Sequence, residues 1–154
     1  MTRFYTRIYT PSRTSGYRDQ LNVWSDRVHI GHIQFTTQGF YHQTDQMQYQ
    51  AIPFFPQIIN YGDRYQAHGQ SDLDAKRLSL SRISQDRLSV DTGSIIFDHL
   101  SNVPGSVVLQ PRLIMYGAEE SLVDPYVIGW GTSKRKAEEN AAEKLLTSRR
   151  YCFY

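Results

Sequence analysis

Between Arg27 and Tyr61 the pattern of apolar and polar positions is that of extended chain. Val28, Ile30, His32 and Gln34 share one parity, and Met47, Tyr49, Ala51 and Phe55 share another. Side chains two apart lie on one face of a strand, so the region reads as β-rich. Pro53 and Pro56 are expected to break the second strand, and turn residues stand at Thr37-Gln38-Gly39 and Tyr61-Gly62-Asp63. From Asp72 to Gln85 the period changes. Ala75, Leu80 and Ile83 fall on one helical face, Ser71 is placed to cap the first amides, and Asp72 and Asp74 suit the positive end of the helix. Three strands are expected next, at Ser94–Phe97, Val107–Tyr116 and Pro125–Trp130, joined through Asn102-Val103-Pro104-Gly105 and through Gly117 to Asp124. The clearest helix is Ser133 to Thr147. Ala137, Ala141, Ala142, Leu145 and Leu146 form a narrow apolar stripe whose small residues let the backbone lie close to a sheet.

Composition divides the chain near residue 71. The first part holds thirteen of the twenty aromatics and only ten charged residues, so the two parts are built differently. At 154 residues, 40% hydrophobic and 21% charged, the chain is long and apolar enough for one domain or two small ones. A net charge of +2 says little in bulk, and any case for an anionic partner rests on where the cations sit. The single cysteine, Cys152, excludes an internal disulfide and a thiolate zinc site. No apolar run suits a signal peptide or a membrane span. The expectation is an intracellular protein, cytoplasmic rather than nuclear, without a membrane partner. No phosphate-loop glycine pattern, nucleophile elbow or paired ligand motif occurs, so no enzyme, cofactor or metal is expected. His29, His32 and His42 do not change this, because two histidines three apart on a strand point to opposite faces.

One segment carries chemistry. Gly129-Trp130-Gly131-Thr132-Ser133-Lys134-Arg135-Lys136-Ala137 is strand, turn, cap and helix start in succession. Three cations on the positive end of a helix are locally unfavourable, by a few tenths of a kcal/mol each. Glu138 and Glu139 are expected to offset this as neighbours of Lys134 and Arg135 along the helix. The placement is best explained by an anion arriving there, and phosphate is the natural one, since amides, dipole and side chains all point at it.

Trp130-Gly131-Thr132-Ser133-Lys134-Arg135-Lys136-Ala137, followed by Ala141-Ala142 and Leu145-Leu146, resembles the end of double-stranded-RNA-binding domains (dsRBDs). The resemblance covers about Gly93 to Ser148 and reaches back to Asp72 if that helix is the family's first. It implies an α+β fold ordered α-β-β-β-α, a three-stranded antiparallel sheet with both helices on one face. It implies duplex RNA as partner, read by shape across two minor grooves and the intervening phosphates. On this resemblance the phosphate region is Ser133, Lys134, Arg135 and Lys136. The first-helix region is Arg77, Ser81 and Gln85, and the loop region is Ser101 to Ser106 with Asn102 and Pro104. The implied role is that of an accessory subunit of an RNA-processing complex or an antagonist of RNA silencing. The loop lacks the family's Gly-Pro-x-His element, and Glu138 stands where a lysine is usual. Copies departing in this way bind proteins, so a protein–protein or homodimerisation module of the same fold is the alternative.

Two divisions of the chain follow. In one, residues 71–150 form the dsRBD-like domain and residues 1–70 a β-rich extension. In the other, a shift of 62 residues places Gly69-Gln70-Ser71 under Gly131-Thr132-Ser133, Ala75 under Ala137 and Ile83 under Leu145. The helix from Asp72 is then the last helix of a degenerate first copy, whose acidic start repels phosphate. The N-terminal aromatics Phe35, Phe40, Tyr41, Phe54 and Phe55 suit core packing or a protein interface, with stacking of unpaired bases as the other reading. The final Arg149-Arg150-Tyr151-Cys152-Phe153-Tyr154 either docks or frays.

Overall fold

A computed structural model describes residues 3–41 and 46–154. The described residues form a mixed α+β protein with three α-helices and antiparallel sheets, and the chain divides into two compact units that are interleaved in sequence. One comprises the N-terminal residues to Arg7 with Ile58–Tyr116, the other Ile8–Gln57 with Gly117–Tyr154. The division expected between residues 70 and 71 coincides with no boundary of either unit.

The Ile8–Gln57/Gly117–Tyr154 unit contains α1 (Tyr17–Arg27), β1 (Gln34–Tyr41), most of β2 (Met47–Asn60), β7 (Gly129–Gly131) and α3 (Lys134–Thr147). β1 pairs antiparallel with β2 (Thr37↔Ala51), and β2 pairs with β7 (Ala51↔Gly129, Tyr49↔Gly131). Part of a further strand, β6 (Ile114–Ser121), also pairs with β2. The alanine stripe of α3 lies where its residue sizes predict: Ala137 and Ala141 are fully buried against Ala51, with Phe35 and Tyr49 around them. Gly129 permits the approach, because a Cβ there would stand 2.0 Å from the Ala137 carbonyl oxygen. α1 buries Leu21 and Trp24, and Val28 just after it is buried too; Trp24 stacks on Phe55 with ring centroids 5.7 Å apart and donates its indole N–H to the Phe153 carbonyl at 2.9 Å. The C-terminal segment therefore docks rather than frays, with Phe153 bridged to Ile8 and Cys152 buried.

The unit containing Ile58–Tyr116 holds β3 (Ala67–Gly69), α2 (Asp72–Gln85), β4 (Phe97–Val103) and β5 (Ser106–Pro111), with its strands ordered β3-β5-β4. α2 packs Ala75 on Val107 and Leu109, and Ile83 on Tyr65 and Leu113. Phe4, Leu88, Val90 and Ile95 complete that second cluster.

The 62-residue shift is visible in the backbone. Ser71 and Ser133 have nearly the same dihedrals (φ −141°, ψ 166° and φ −142°, ψ 162°), and each accepts from the amide three residues on, at 3.2 and 3.1 Å. A Cβ on Gly69 would meet the Ala75 nitrogen at 2.5 Å, and one on Gly131 the Ala137 nitrogen at 2.6 Å. The two strand–helix segments are, however, exchanged between sheets. β3–α2, early in sequence, completes the sheet of β4 and β5, while β7–α3, late in sequence, completes that of β1 and β2.

Several expectations need correction. α1 is a helix within the part expected to be β-rich, and among the described residues only isolated bridges at Tyr5 and Ile8 precede the first strand at Gln34. Thr37-Gln38-Gly39 lies inside β1, and β2 runs through Pro53 and Pro56. The strand expected at Ser94–Phe97 begins only at Phe97, after a turn of 3-10 helix at Thr92–Ser94. Val107–Tyr116 is split, β5 ending at Pro111 and β6 starting at Ile114. β7 is three residues long, and Gly117–Ser121 belongs to β6. α2 and α3 lie in different units, so residues 71–150 do not form one contiguous α-β-β-β-α body.

Candidate nucleic-acid interface

The geometry at the start of α3 follows from Ser133. Its extended backbone and its Oγ, bonded to the Lys136 N–H, fix the first turn, so Lys134, Arg135 and Lys136 all emerge exposed from it. Lys136 is steadied by Thr132, its Nζ donating to Oγ1 at 3.3 Å. Among the described residues, Lys134 and Arg135 have no ion-pair partner.

The glutamates expected to balance them serve α1 instead. Gly16, the residue before α1, has φ 68° and offers no side-chain cap. Glu139 supplies one from α3, accepting from the Tyr17 N–H at 2.6 Å and the Arg18 N–H at 3.1 Å. Glu138 pairs with the Arg18 guanidinium at 3.0 Å. This arrangement registers α1 against α3, since a carboxylate at a helix N-terminus is held by free amides and dipole together. An open cleft of about 760 Å³ lies between the starts of the two helices; Arg18, Asn22, Ser133, Arg135 and Lys136 line it together with the carboxylates of Asp19, Glu139 and Glu143. The floor near β7 is fixed by Asn140, whose Oδ1 accepts from the Trp130 N–H at 3.0 Å.

The structure thus gathers Ser133, Lys134, Arg135 and Lys136 and adds Arg18 and Asn22 of α1. Sequence reasoning missed these two because α1 went unrecognised, although Leu21, Trp24 and Val28 carry a helical spacing. The remaining expected residues lie in the other unit. Arg77, Ser81 and Gln85 are exposed on α2. That helix follows β3 and packs on β3 and β5, as α3 follows and packs on β7. Asn102 and Pro104 are exposed at the β4–β5 hairpin, which turns at Gly105 with φ 78°. The start of α2 contrasts with that of α3: Asp72 and Asp74 occupy its first turn, and the Asp72 carboxylate pairs with His99 at 3.0 Å.

Among the described residues no cluster of His, Cys, Asp and Glu suits a metal. His32 pairs with Asp26 at 2.9 Å, His29 is exposed, and His42 lies outside the described residues. Burial pushes the Cys152 thiol well above its ordinary range, which leaves it a poor nucleophile. Among the described residues no helix is long and apolar enough to cross a membrane. Comparison with family models, characterised proteins and solved structures finds no match to the chain.

Proposed function

We propose that this chain binds double-stranded RNA without sequence preference, through the unit that contains α1, β1, β2, β7 and α3. The observation that carries the reading is the cleft between the starts of α1 and α3, where Arg18 and Asn22 stand beside Ser133, Arg135 and Lys136. The order α1-β1-β2-β7-α3, set apart from a dsRBD by the other unit and part of β6 between β2 and β7, resembles the family's order of helix, strands and helix. On that reading the α3 cations meet phosphates across the major groove, and Asn22 and Arg18 meet a minor groove. The unit of β3, α2, β4 and β5 has the same strand–cap–helix geometry with an acidic first turn, and its role in this proposal is structural. The molecule would serve as an accessory subunit of an RNA-processing complex or as an antagonist of RNA silencing.

A mobility-shift titration against a duplex of about 20 base pairs, longer than the ~16 spanned by one such domain, tests the proposal. Lys134→Glu with Arg135→Glu should abolish the shift while leaving circular dichroism unchanged. Unaltered binding by that variant contradicts it. Arg18–Glu138 and Glu139, which neutralise part of the same surface, favour the second reading, a protein-binding module of this fold. A stoichiometric complex insensitive to the double charge reversal would select that reading.

A further inference from the structure

The sheet of the α1/α3 unit ends on β1, and among the described residues β1 has β2 as its one sheet neighbour. We propose that this edge is a self-association site, at which two copies of the chain pair β1 with β1, antiparallel, about a two-fold axis.

β1 is an unprotected edge. Its eight residues, Gln34-Phe35-Thr36-Thr37-Gln38-Gly39-Phe40-Tyr41, include no charge and no proline. Its register with β2 runs unbroken from Gln34↔Phe54 to Tyr41↔Met47, so no bulge turns the edge away. A strand of this kind presents a straight row of amides and carbonyls, which proteins ordinarily blunt with charges, prolines or bulges. The same chain does blunt another of its edges. β4 has a register shift between His99 and Ser101, Asp98 on it is paired with Arg112 at 2.8 Å, and His99 is paired with Asp72. That contrast within one molecule is the main ground for assigning β1 a partner.

The partner is a second copy because the strand is compatible with itself. Phe35 packs with Ala51 against α3, so alternation puts Gln34, Thr36, Gln38 and Phe40 on the opposite face. A two-fold axis through Thr37 or Gln38 keeps that face continuous across the junction. Thr36 then lies opposite Gln38 or Phe40 of the other copy, and no like charges meet. The surface beside the junction is apolar and open: the Phe40 ring lies 6.0 Å from that of Trp130, which is 42% exposed, and Phe54 on β2 is 38% exposed. Isologous pairing of one edge closes at two copies and does not propagate.

Sedimentation velocity of the full chain from about 1 to about 100 µM should show a monomer–dimer equilibrium. Thr36→Lys with Gln38→Lys, both on exposed side chains, puts four ammonium groups at the junction and should raise the dimer dissociation constant at least about tenfold. Amide exchange on the unaltered protein gives an independent readout. Continuous protection across residues 35–40 at high concentration should give way to fast exchange of alternate amides on dilution. Lys134→Glu with Arg135→Glu should leave the dimer intact, so the RNA proposal and this one fail separately. A chain monomeric over the whole range, as an edge reserved for a different protein would leave it, or a dimer unmoved by the lysine pair, overturns the inference.

Discussion

Replacing Glu139 by alanine should loosen α1 from α3, and the size of the effect follows from what the carboxylate does. It accepts from two amides, at 2.6 and 3.1 Å, at a helix start whose preceding residue is a glycine without a side-chain cap. Loss of a capping acceptor costs about 1 kcal/mol, and loss of a carboxylate beside a helix N-terminus a further ~0.3–1. The Arg18 amide is exposed and water can replace the lost partner there, whereas the Tyr17 amide is partly buried and recovers less. A total of about 1–2 kcal/mol results. With a urea dependence of about 1.5–3 kcal/mol per molar, the unfolding midpoint should fall by roughly 0.3–1.3 M. Trp24, fully buried and stacked on Phe55 of the same unit, is the natural fluorescence reporter. Glu139→Gln keeps an acceptor but loses the charge, and should fall about midway. A Glu139→Ala midpoint within about 0.1 M of the unaltered protein would refute the assignment of Glu139 as the cap of α1.

Further outcomes follow from single side chains. Gly129→Ala drives a Cβ to 2.0 Å from the Ala137 carbonyl and 2.5 Å from the Ala141 nitrogen, both backbone, so a loss of at least about 2 kcal/mol is expected in the same urea assay. Ser133→Ala should cost about 1 kcal/mol by removing the Lys136 amide's partner, and Ser71→Ala should cost a similar amount. Burial, then the hydrogen bond to Asp124, pushes the Tyr151 hydroxyl up to about 12, while that bond and the Tyr126 amide hold the Asp124 carboxyl below its ordinary value. The Tyr151 contribution is therefore complete below pH ~10 and lost as pH rises towards 12, whereas that of Asp124 is complete above pH ~4 and lost on further acidification. Ultraviolet titration should show a tyrosinate forming near pH 12 that Tyr151→Phe removes, while Tyr5 and Tyr65, raised by burial and by the Asp86 hydrogen bond respectively, remain. Cys152 should resist a thiol reagent in the native protein and react once urea unfolds it.

How much was legible in the sequence can be read from particular elements. α2 and α3 were, with their serine caps, because the cap and the first amides are neighbours in the chain and alanines at spacings of four need a close partner. The 62-residue correspondence was legible for the same reason, since Gly69 and Gly131 are required by contacts within their own strand–helix segments. The exchange of those segments between sheets was not. Ala51 and Leu109 offer β7 and β3 similar small or apolar partners, and which strand pairs with which depends on distant residues rather than local pattern. α1 escaped because its polar face holds most of its residues and its cap is Glu139, 122 residues from Tyr17. The cationic half of the candidate site was thus readable at Lys134–Lys136, while Arg18 and Asn22 became visible only once α1 was beside α3.

The most direct measurement compares the cations at the start of α3 with the adjacent cation pair one turn into α2. Duplex RNA affinity is titrated against salt for the unaltered chain, for Lys134→Glu with Arg135→Glu, and for Lys76→Glu with Arg77→Glu. The account predicts that the α3 pair loses binding and flattens the salt slope by about one per phosphate contact removed, while the α2 pair changes neither by much. Equal losses from the two pairs, or none from the α3 pair, would contradict it.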